Sequence, residues 1–395
     1  MAPSSFDELR TGFDELRTSG IPPLMLSLSK HEGASGLRVA LSRWCRQHRR
    51  DLPWRRTRDP YAIWIAETML QQTRSDTVED YYTRFLLRFP TIEALARAPE
   101  SAVLTAWSGL GYYARARNLR LAARRIVNVH GGELPKDIAA LRALPGIGRY
   151  TAGAVASIAF GIPAPVVDGN VARVLARAFA IPGRLRSGRF EREVWRVAER
   201  LVPERSPGDW NQALMELGAT LCAPRTPGCN RCPIRRHCAA RAMKATSRFP
   251  VPPRRPSTQR VSRASFVLEK GAGRVLLVRR NRARLLRGLW EFPTVEVPAG
   301  ATACEIATRE LVRLGARKSI ARSAGRIVHT IMNQRIEVEI FRAEFRREPA
   351  DPCPDARWFP WPRVAALPLS AAARRIGSRV APDYFRSSGP SWPKR

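Results

Sequence analysis

Apolar residues recur at helical spacing through most of the chain up to Met243, and the period changes to that of strands beyond Ala264. Leu37 to Gln47 reads as an amphipathic helix. Asp59-Pro60 supplies a cap and a first-turn proline for a helix from Tyr61 to Thr73, with Ile63, Ala66 and Leu70 on one stripe. Val171, Val174, Leu175 and Phe179 mark a further helix, for which Asp168 is the natural N-cap. Arg248 to Arg263 is rich in proline and arginine and has no period, as expected of a linker. Past it, Ala264 to Leu268 and Val275 to Val278 read as strands around Gly271 and Gly273, Cys304 to Leu314 as a helix, and Arg335 to Phe345 as an alternating strand. The pattern predicts an all-α region over residues 37–245, a linker over 246–263 and an α/β domain over 264–386. Residues 1–36, in which Phe6-Asp-Glu-Leu-Arg-Thr11 recurs as Phe13-Asp-Glu-Leu-Arg-Thr18, are expected to be a disordered tail or a mis-called start, and 387–395 a frayed end.

Length and charge narrow the function classes. A chain of 395 residues holds two or three domains with their own cores. No uninterrupted apolar run approaches the roughly 18 residues of a membrane span, and the start lacks the basic, then apolar, order of a signal peptide. A monomer in the cytoplasm is expected. The net charge of +34, almost all of it arginine, attracts phosphate polyanions. Codon bias also enriches arginine, so charge permits nucleic-acid binding without establishing it.

Three groups of residues carry candidate chemistry. Cys222, Cys229, Cys232 and Cys238 form a C-x6-C-x2-C-x5-C run with Pro233 after the third cysteine. That compact spacing suits a cubane iron–sulfur cluster, while a zinc site held by the same thiolates stays open. Seven cysteines without a secretion signal argue against disulfides. Glu67 falls on the apolar stripe of its helix, where desolvation favours the neutral acid that general-acid catalysis requires; an edge position paired with an arginine is the plainer alternative. Leu144-Pro-Gly-Ile-Gly-Arg-Tyr-Thr-Ala152 is a turn in which Gly146 and Gly148 aim amides outward, ahead of a helix whose N-terminus at Arg149 suits a phosphate.

Together with Leu52-Pro-Trp-Arg55, Trp64-Ile-Ala-Glu-Thr-Met-Leu-Gln-Gln-Thr73, Gly109-Leu-Gly-Tyr-Tyr-Ala-Arg-Ala-Arg-Asn118 and Val167-Asp-Gly-Asn-Val171, these blocks resemble the helix-hairpin-helix superfamily of base-excision DNA glycosylases, and within it the MutY family. The resemblance implies an all-α helix-hairpin-helix core made of a six-helix barrel and a [4Fe-4S] module, with a DNA cleft between them. It implies that Glu67 protonates adenine N7 and that Asp168 stabilises or captures the sugar cation, with Tyr150 and Asn170 in support. Leu52, Trp54, Arg55, Gln72, Thr73 and Gln212 match positions around a flipped base. Gln71, Gly146, Gly148 and Arg149 match DNA contacts, and Tyr112, after a flexible Gly109-Leu-Gly111 turn, matches an intercalating wedge, with core packing as the alternative. The implied partner is double-stranded DNA containing adenine opposite 8-oxoguanine or guanine.

The last third resembles a Nudix-like domain, with Gly288-Leu-Trp-Glu-Phe-Pro293 at its start. Arg313 and Leu314 stand where a working Nudix hydrolase has acids, so pyrophosphate hydrolysis is not expected. The lesion-reading loop of the MutY family follows His329-Thr330, but here Ile331, Met332 and Asn333 replace the usual phenylalanine, serine and histidine. Ile331 is expected to act as an apolar wedge, and His329 and Asn333 to contact the lesion. Two alternatives remain: an endonuclease III type glycosylase/lyase, which needs a lysine where this chain has Tyr150, and a non-catalytic cluster-bearing DNA-binding protein, which needs neither carboxylate.

Overall fold

The computed structural model of the protein describes residues 31–253, 257–271, 273–281, 285–313, 322–345 and 355–385. Leu314, the residues before His31 and those after Phe385 lie outside the described residues, and so do most of the two expected tails. In chain order the principal helices are α1 (His31–His48), α2 (Pro60–Leu70), α3 (Ser75–Arg88), α4 (Ile92–Arg97), α5 (Glu100–Ala106), α6 (Ala114–His130), α7 (Ile138–Arg142), α8 (Arg149–Ile158), α9 (Gly169–Ala178), α10 (Gly188–Leu201) and α11 (Pro207–Thr220). Strands β1 (Gln259–Lys270), β2 (Arg274–Arg279), β3 (Trp290–Glu291) and β4 (Thr294–Glu296) follow. Then come α12 (Ala303–Arg313), β5 (Arg322–Ile331), β6 (Gln334–Phe345), β7 (Ala356–Pro360) and α13 (Ala371–Val380). The chain divides into two compact units: Met1–Ile63, Lys136–Ile138 and Gly148–Pro253 form the first, and Trp64–Pro135, Ala139–Ile147 and Arg254–Arg395 the second.

The first unit is helical. Leu37 and Leu41 of α1, Val174 and Leu175 of α9, Phe190 and Val194 of α10, and Trp210 and Leu217 of α11 form its core. Helix α1 includes His31 to Gly36, which fall inside the segment expected to be a tail. Gly36, which reads as a helix breaker, instead lets the backbone approach His237 of the cysteine loop: a Cβ there would lie 3.3 Å from its ring. On α11, Gly208 and Gly218 act likewise, since a Cβ on Gly218 would come within 2.7 Å of Asn170.

The second unit joins α3 to α6 to a seven-stranded sheet of order β3-β2-β1-β6-β5, with β4 added to β1 and β7 to β2. β1 and β6 run parallel from Gln259↔Gln334 to Lys270↔Phe345. Strand β1 therefore begins inside the expected linker. The backbone ladder with β6 defines its polar first half, which has no apolar period to read. Phe266, Leu268 and Phe341 pack against Ile306 and Leu311 of α12, whereas Val267, Val338 and Ile340 cluster with Ala373 and Ile376 of α13. Helices cover both faces, so the middle of β1 reads as a continuous apolar run. Within this unit Ser108 Oγ and Tyr113 OH donate to the Leu369 carbonyl at 3.4 and 3.3 Å, and Arg117 Nη1 to the Arg287 carbonyl at 2.7 Å.

Asp59 caps α2 as expected, its carboxylate accepting from the Tyr61 and Ala62 amides at 3.0 and 3.3 Å. The helix stops at Leu70 instead of Thr73 because Gln72 takes a left-handed φ of 62°. It is also not striped: every residue from Tyr61 to Met69 is at most 5% exposed. A helix apolar all round is a core helix, so Glu67 is buried whichever face it occupies.

Candidate active site and cysteine loop

In the first unit, α11 gathers the candidate residues. Glu216, fully buried on this helix, accepts from Arg50 Nε and Nη2 at 2.9 Å and from Arg55 Nη2 at 2.7 Å. Burial alone pushes the Glu216 carboxyl up, but the two guanidiniums outweigh it and hold its pKa below the ordinary value. Arg55, expected beside the base, is thus committed to an ion pair, and it also donates to the Arg50 carbonyl at 3.1 Å. Leu52, just before the Pro53–Arg55 turn, and Trp54, within it, are buried. Gln212 lies one turn before Glu216 on α11, half-buried. Tyr150 OH meets Met215 Sδ at 3.5 Å.

Asp168 closes the N-terminus of α9. Its Oδ1 accepts from the Val171 amide at 2.7 Å and its Oδ2 from Asn170 Nδ2 at 3.1 Å. Arg173 Nη2 donates to Asn170 Oδ1 at 2.8 Å, which orients the amide so that its NH2 faces Asp168. Desolvation pushes the Asp168 carboxyl above the ordinary aspartate value despite these bonds. The result is a carboxylate of fixed direction in a poorly solvated setting, suited to answer positive charge developing on a ligand.

The guanidinium of Arg149, expected to meet DNA, stacks 3.9 Å from the centre of the Trp195 ring and pairs with Glu199, both on α10, with its side chain 44% exposed. Gly146 does adopt a left-handed φ of 77°, and a Cβ there would strike Asn118 at 2.6 Å, so the turn requires glycine. Gly148, extended and exposed, has open space around it.

In the second unit Glu67 is 4% exposed. The segment after it, Gln71 to Thr73, is held by Arg115 of α6, whose Nη1 donates to the Gln71 carbonyl at 2.5 Å and Nη2 to Thr73 Oγ1 at 3.3 Å. Tyr112 is 56% exposed and left-handed, with a φ of 46°, which disposes of core packing for its ring. In the α/β domain the candidate lesion-reading residues lie at the tip of the β5–β6 hairpin. Ile331 packs partly against the domain core and Asn333 Nδ2 donates to the Ser257 carbonyl at 3.3 Å, whereas Met332 is 78% exposed with a φ of 55°. The outward side chain of a tight turn is set by backbone direction, which the loop's residue types do not reveal. His329 is half-buried, its Nδ1 has no partner, and burial lowers its pKa.

Cys222, Cys229, Cys232 and Cys238 line one cavity in the first unit together with Val174, Arg177, Leu217 and Ile234. Among the described residues no three His, Cys, Asp or Glu side chains converge on a single-ion position. Four thiols lining one cavity are a donor set of the kind that holds an iron–sulfur cluster. Burial pushes Cys232 up to about 12 and Cys238 up as well, so four thiolates there need cationic compensation. Arg177 supplies part of it: 3% exposed, it donates to Cys222 Sγ at 3.3 Å and to the carbonyls of Ala223 and Pro224 at 2.7 and 2.8 Å.

Sequence reasoning missed Glu216, Arg115 and Arg177. Glu216 carried the same signal as Glu67, an acid among Leu214, Met215 and Leu217. The two arginines were invisible among so many others.

No helix among the described residues is long and apolar enough to cross a membrane. Residues 65–200 match the family model of the HhH-GPD superfamily base excision DNA repair protein, and residues 264–379 that of the NUDIX domain. The adenine DNA glycosylase of Rattus norvegicus is 35% identical over 443 aligned positions, which span 98% of this chain and 86% of the rat protein. That of Homo sapiens is 36% identical over 400, spanning 87% and 73%. Among solved structures, a thermostable thymine-DNA glycosylase is 33% identical with a TM-score of 0.49, covering 54% of this chain and 99% of that one.

Proposed function

The chain belongs to the adenine DNA glycosylase family of base-excision repair, and from that premise we propose that it is a monofunctional enzyme acting on adenine opposite 8-oxoguanine or guanine. In this reading Glu67 gives its proton to N7 of the flipped adenine. The C1′–N9 bond then breaks with its electron pair going to the base, and Asp168 stabilises the sugar cation or bonds to C1′. Water supplies the hydroxyl at C1′, and adenine and an abasic site leave.

The observation that carries this reading is the Asp168 carboxylate, capped, aimed by the Asn170–Arg173 relay and raised in pKa by desolvation. Binding alone requires no such group. Strand cleavage requires an amine nucleophile, and Tyr150 stands where a lyase of this superfamily places its lysine.

Cys222, Cys229, Cys232 and Cys238 are the residues to hold a [4Fe-4S] cluster, which when bound supplies a covalent cross-link of the loop and an electron-transfer centre. Arg173 and Arg177 orient that loop through the Cys222 carbonyl and sulfur.

The test is single-turnover release of adenine from duplexes carrying adenine opposite 8-oxoguanine, guanine or thymine. Fast release opposite 8-oxoguanine, slower opposite guanine and little opposite thymine is the expected order. Release that ignores the opposing base, or efficient borohydride trapping on DNA, would overturn the proposal.

A further inference from the structure

Arg115 is a half-buried cation neutralised by carbonyl oxygens. Its Nη1 donates to the carbonyls of Thr68 and Met69, both at 2.9 Å, and to that of Gln71. Its Nη2 reaches the carbonyls of Leu110 and Gly111 at 3.2 and 3.4 Å. The guanidinium lies over the rings of Trp107 and Tyr112, 5.3 and 5.6 Å from their centres, and Nε is buried without a partner.

The two acceptor sets belong to different elements. Thr68 and Met69 are in the last turn of α2, one and two residues after Glu67, where a cation also meets the negative end of the helix dipole. Leu110 and Gly111 form the turn that presents Tyr112, in which Gly109, Gly111 and Tyr112 all take positive φ. Nη1 has two hydrogens for three carbonyls, so its bonds are shared. Any shift of one acceptor set redistributes hydrogens toward the other at little cost.

We propose that Arg115 is a positioning residue that couples insertion of Tyr112 into the duplex to the placement of Glu67 against the flipped base. The proposal rests on the roles given above to Glu67 and Tyr112. When the Tyr112 ring and the Gly111 carbonyl move on meeting DNA, the guanidinium follows them and draws the C-terminal turn of α2. Chemistry is thereby completed only when the wedge is seated, a form of induced fit.

A double-mutant cycle on the full-length, cluster-loaded protein tests this. Arg115→Lys keeps the charge and loses the fork, and Tyr112→Ala removes the ring. With an adenine:8-oxoguanine duplex, Arg115→Lys is expected to slow single-turnover release about tenfold, to change the dissociation constant of an uncleavable adenine-analogue duplex by less than about threefold, and to shift the pH–rate profile. In the Tyr112→Ala background the same lysine is expected to cost little more, because the coupling is already broken. Equal fold losses in both backgrounds would overturn the coupling, as would a loss appearing only in affinity or unfolding temperature. Glu67→Gln is the separate control. Normal release by that variant would refute the acid role itself, whereas additive cycles beside an inactive Glu67→Gln would refute only the coupling.

Discussion

At the scale of single residues, the two carboxylates described best in the first unit have opposite pH behaviour. Desolvation raises the folded pKa of Asp168 above its ordinary 3.8, so the folded protein holds that proton more tightly than the unfolded chain. Ionised Asp168 therefore costs stability as pH rises through the folded pKa, and catalysis that needs the anion has an acidic limb above the ordinary value. Asp168→Asn retains an acceptor for the Val171 amide and removes the buried charge. Its unfolding temperature is expected within a few degrees of wild type while single-turnover release falls about a thousandfold. Strong destabilisation with residual activity would show that Asp168 only caps the helix. Glu216 is the reverse case: its depressed pKa contributes stability that is present above the ordinary 4.5 and is lost as pH falls through the folded value. Glu216→Gln sets an amide NH2 against two guanidiniums and is expected to cost about 3 kcal/mol in denaturant unfolding at neutral pH. The difference from wild type should narrow as pH falls below the ordinary 4.5 and through the depressed folded value. Glu67 was singled out because an acid among apolar neighbours breaks the local pattern, and Asp168 because it stands as the N-cap of an amphipathic helix; the roles proposed for both came from the resemblance. The commitment of Arg55 to Glu216 and of Arg149 to Trp195 was not legible, since side-chain direction depends on partners far away in sequence.

At the scale of elements, α9 joins two features that the sequence presents separately. Asp168 caps its first turn, and Arg173 and Arg177, on later turns, hold the Cys222 carbonyl and sulfur. The carboxylate and the cysteine loop are thus fastened to one rigid ten-residue rod. Arg177→Ala would remove the donor serving Ala223, Pro224 and Phe249 carbonyls in a buried setting. The expected outcome is loss of the visible absorbance of the proposed cluster on purification and a drop in stability of about 3 kcal/mol. Full cluster content with unchanged unfolding would assign Arg177 to packing alone. The limits of β2 and β6 followed closely from apolar spacing, but the first half of β1 and the whole of β5 did not. The latter is an edge strand with exposed Arg322 and Arg326 and only partly buried Ala324, Ile327 and Ile331, so its ladder to β6 defines it more than its apolar residues do.

At the scale of the whole molecule, composition separates a helical region from an α/β domain, yet α3 to α6 fold into one compact unit with the sheet. A small buried polar contact is among the links between them. The Leu369 carbonyl accepts from Ser108 and Tyr113, and Arg374 Nη2 donates to Ser108 Oγ at 3.4 Å. Ser108 and Tyr113 flank the Gly109 to Tyr112 turn, so the α/β domain braces the segment that presents the exposed tyrosine. Burial pushes the Tyr113 hydroxyl up and Arg374 down, so both groups depend on this pairing. Removing residues 254–395 would leave Tyr113 to water and release the turn. Such a truncation is expected to keep slow adenine release, to lose most of the preference for 8-oxoguanine over guanine, and to become sensitive to proteolysis near Tyr112. Arg374→Met in the intact chain should reproduce the proteolytic sensitivity in part while leaving the hairpin tip at Met332 in place. If the truncation lost lesion preference while Arg374→Met left both preference and turn protection unchanged, preference would reside in direct lesion contacts of the α/β domain. If Arg374→Met alone reduced the preference, the brace would itself be a determinant of specificity, acting through the wedge turn and not through any contact with the oxidised base.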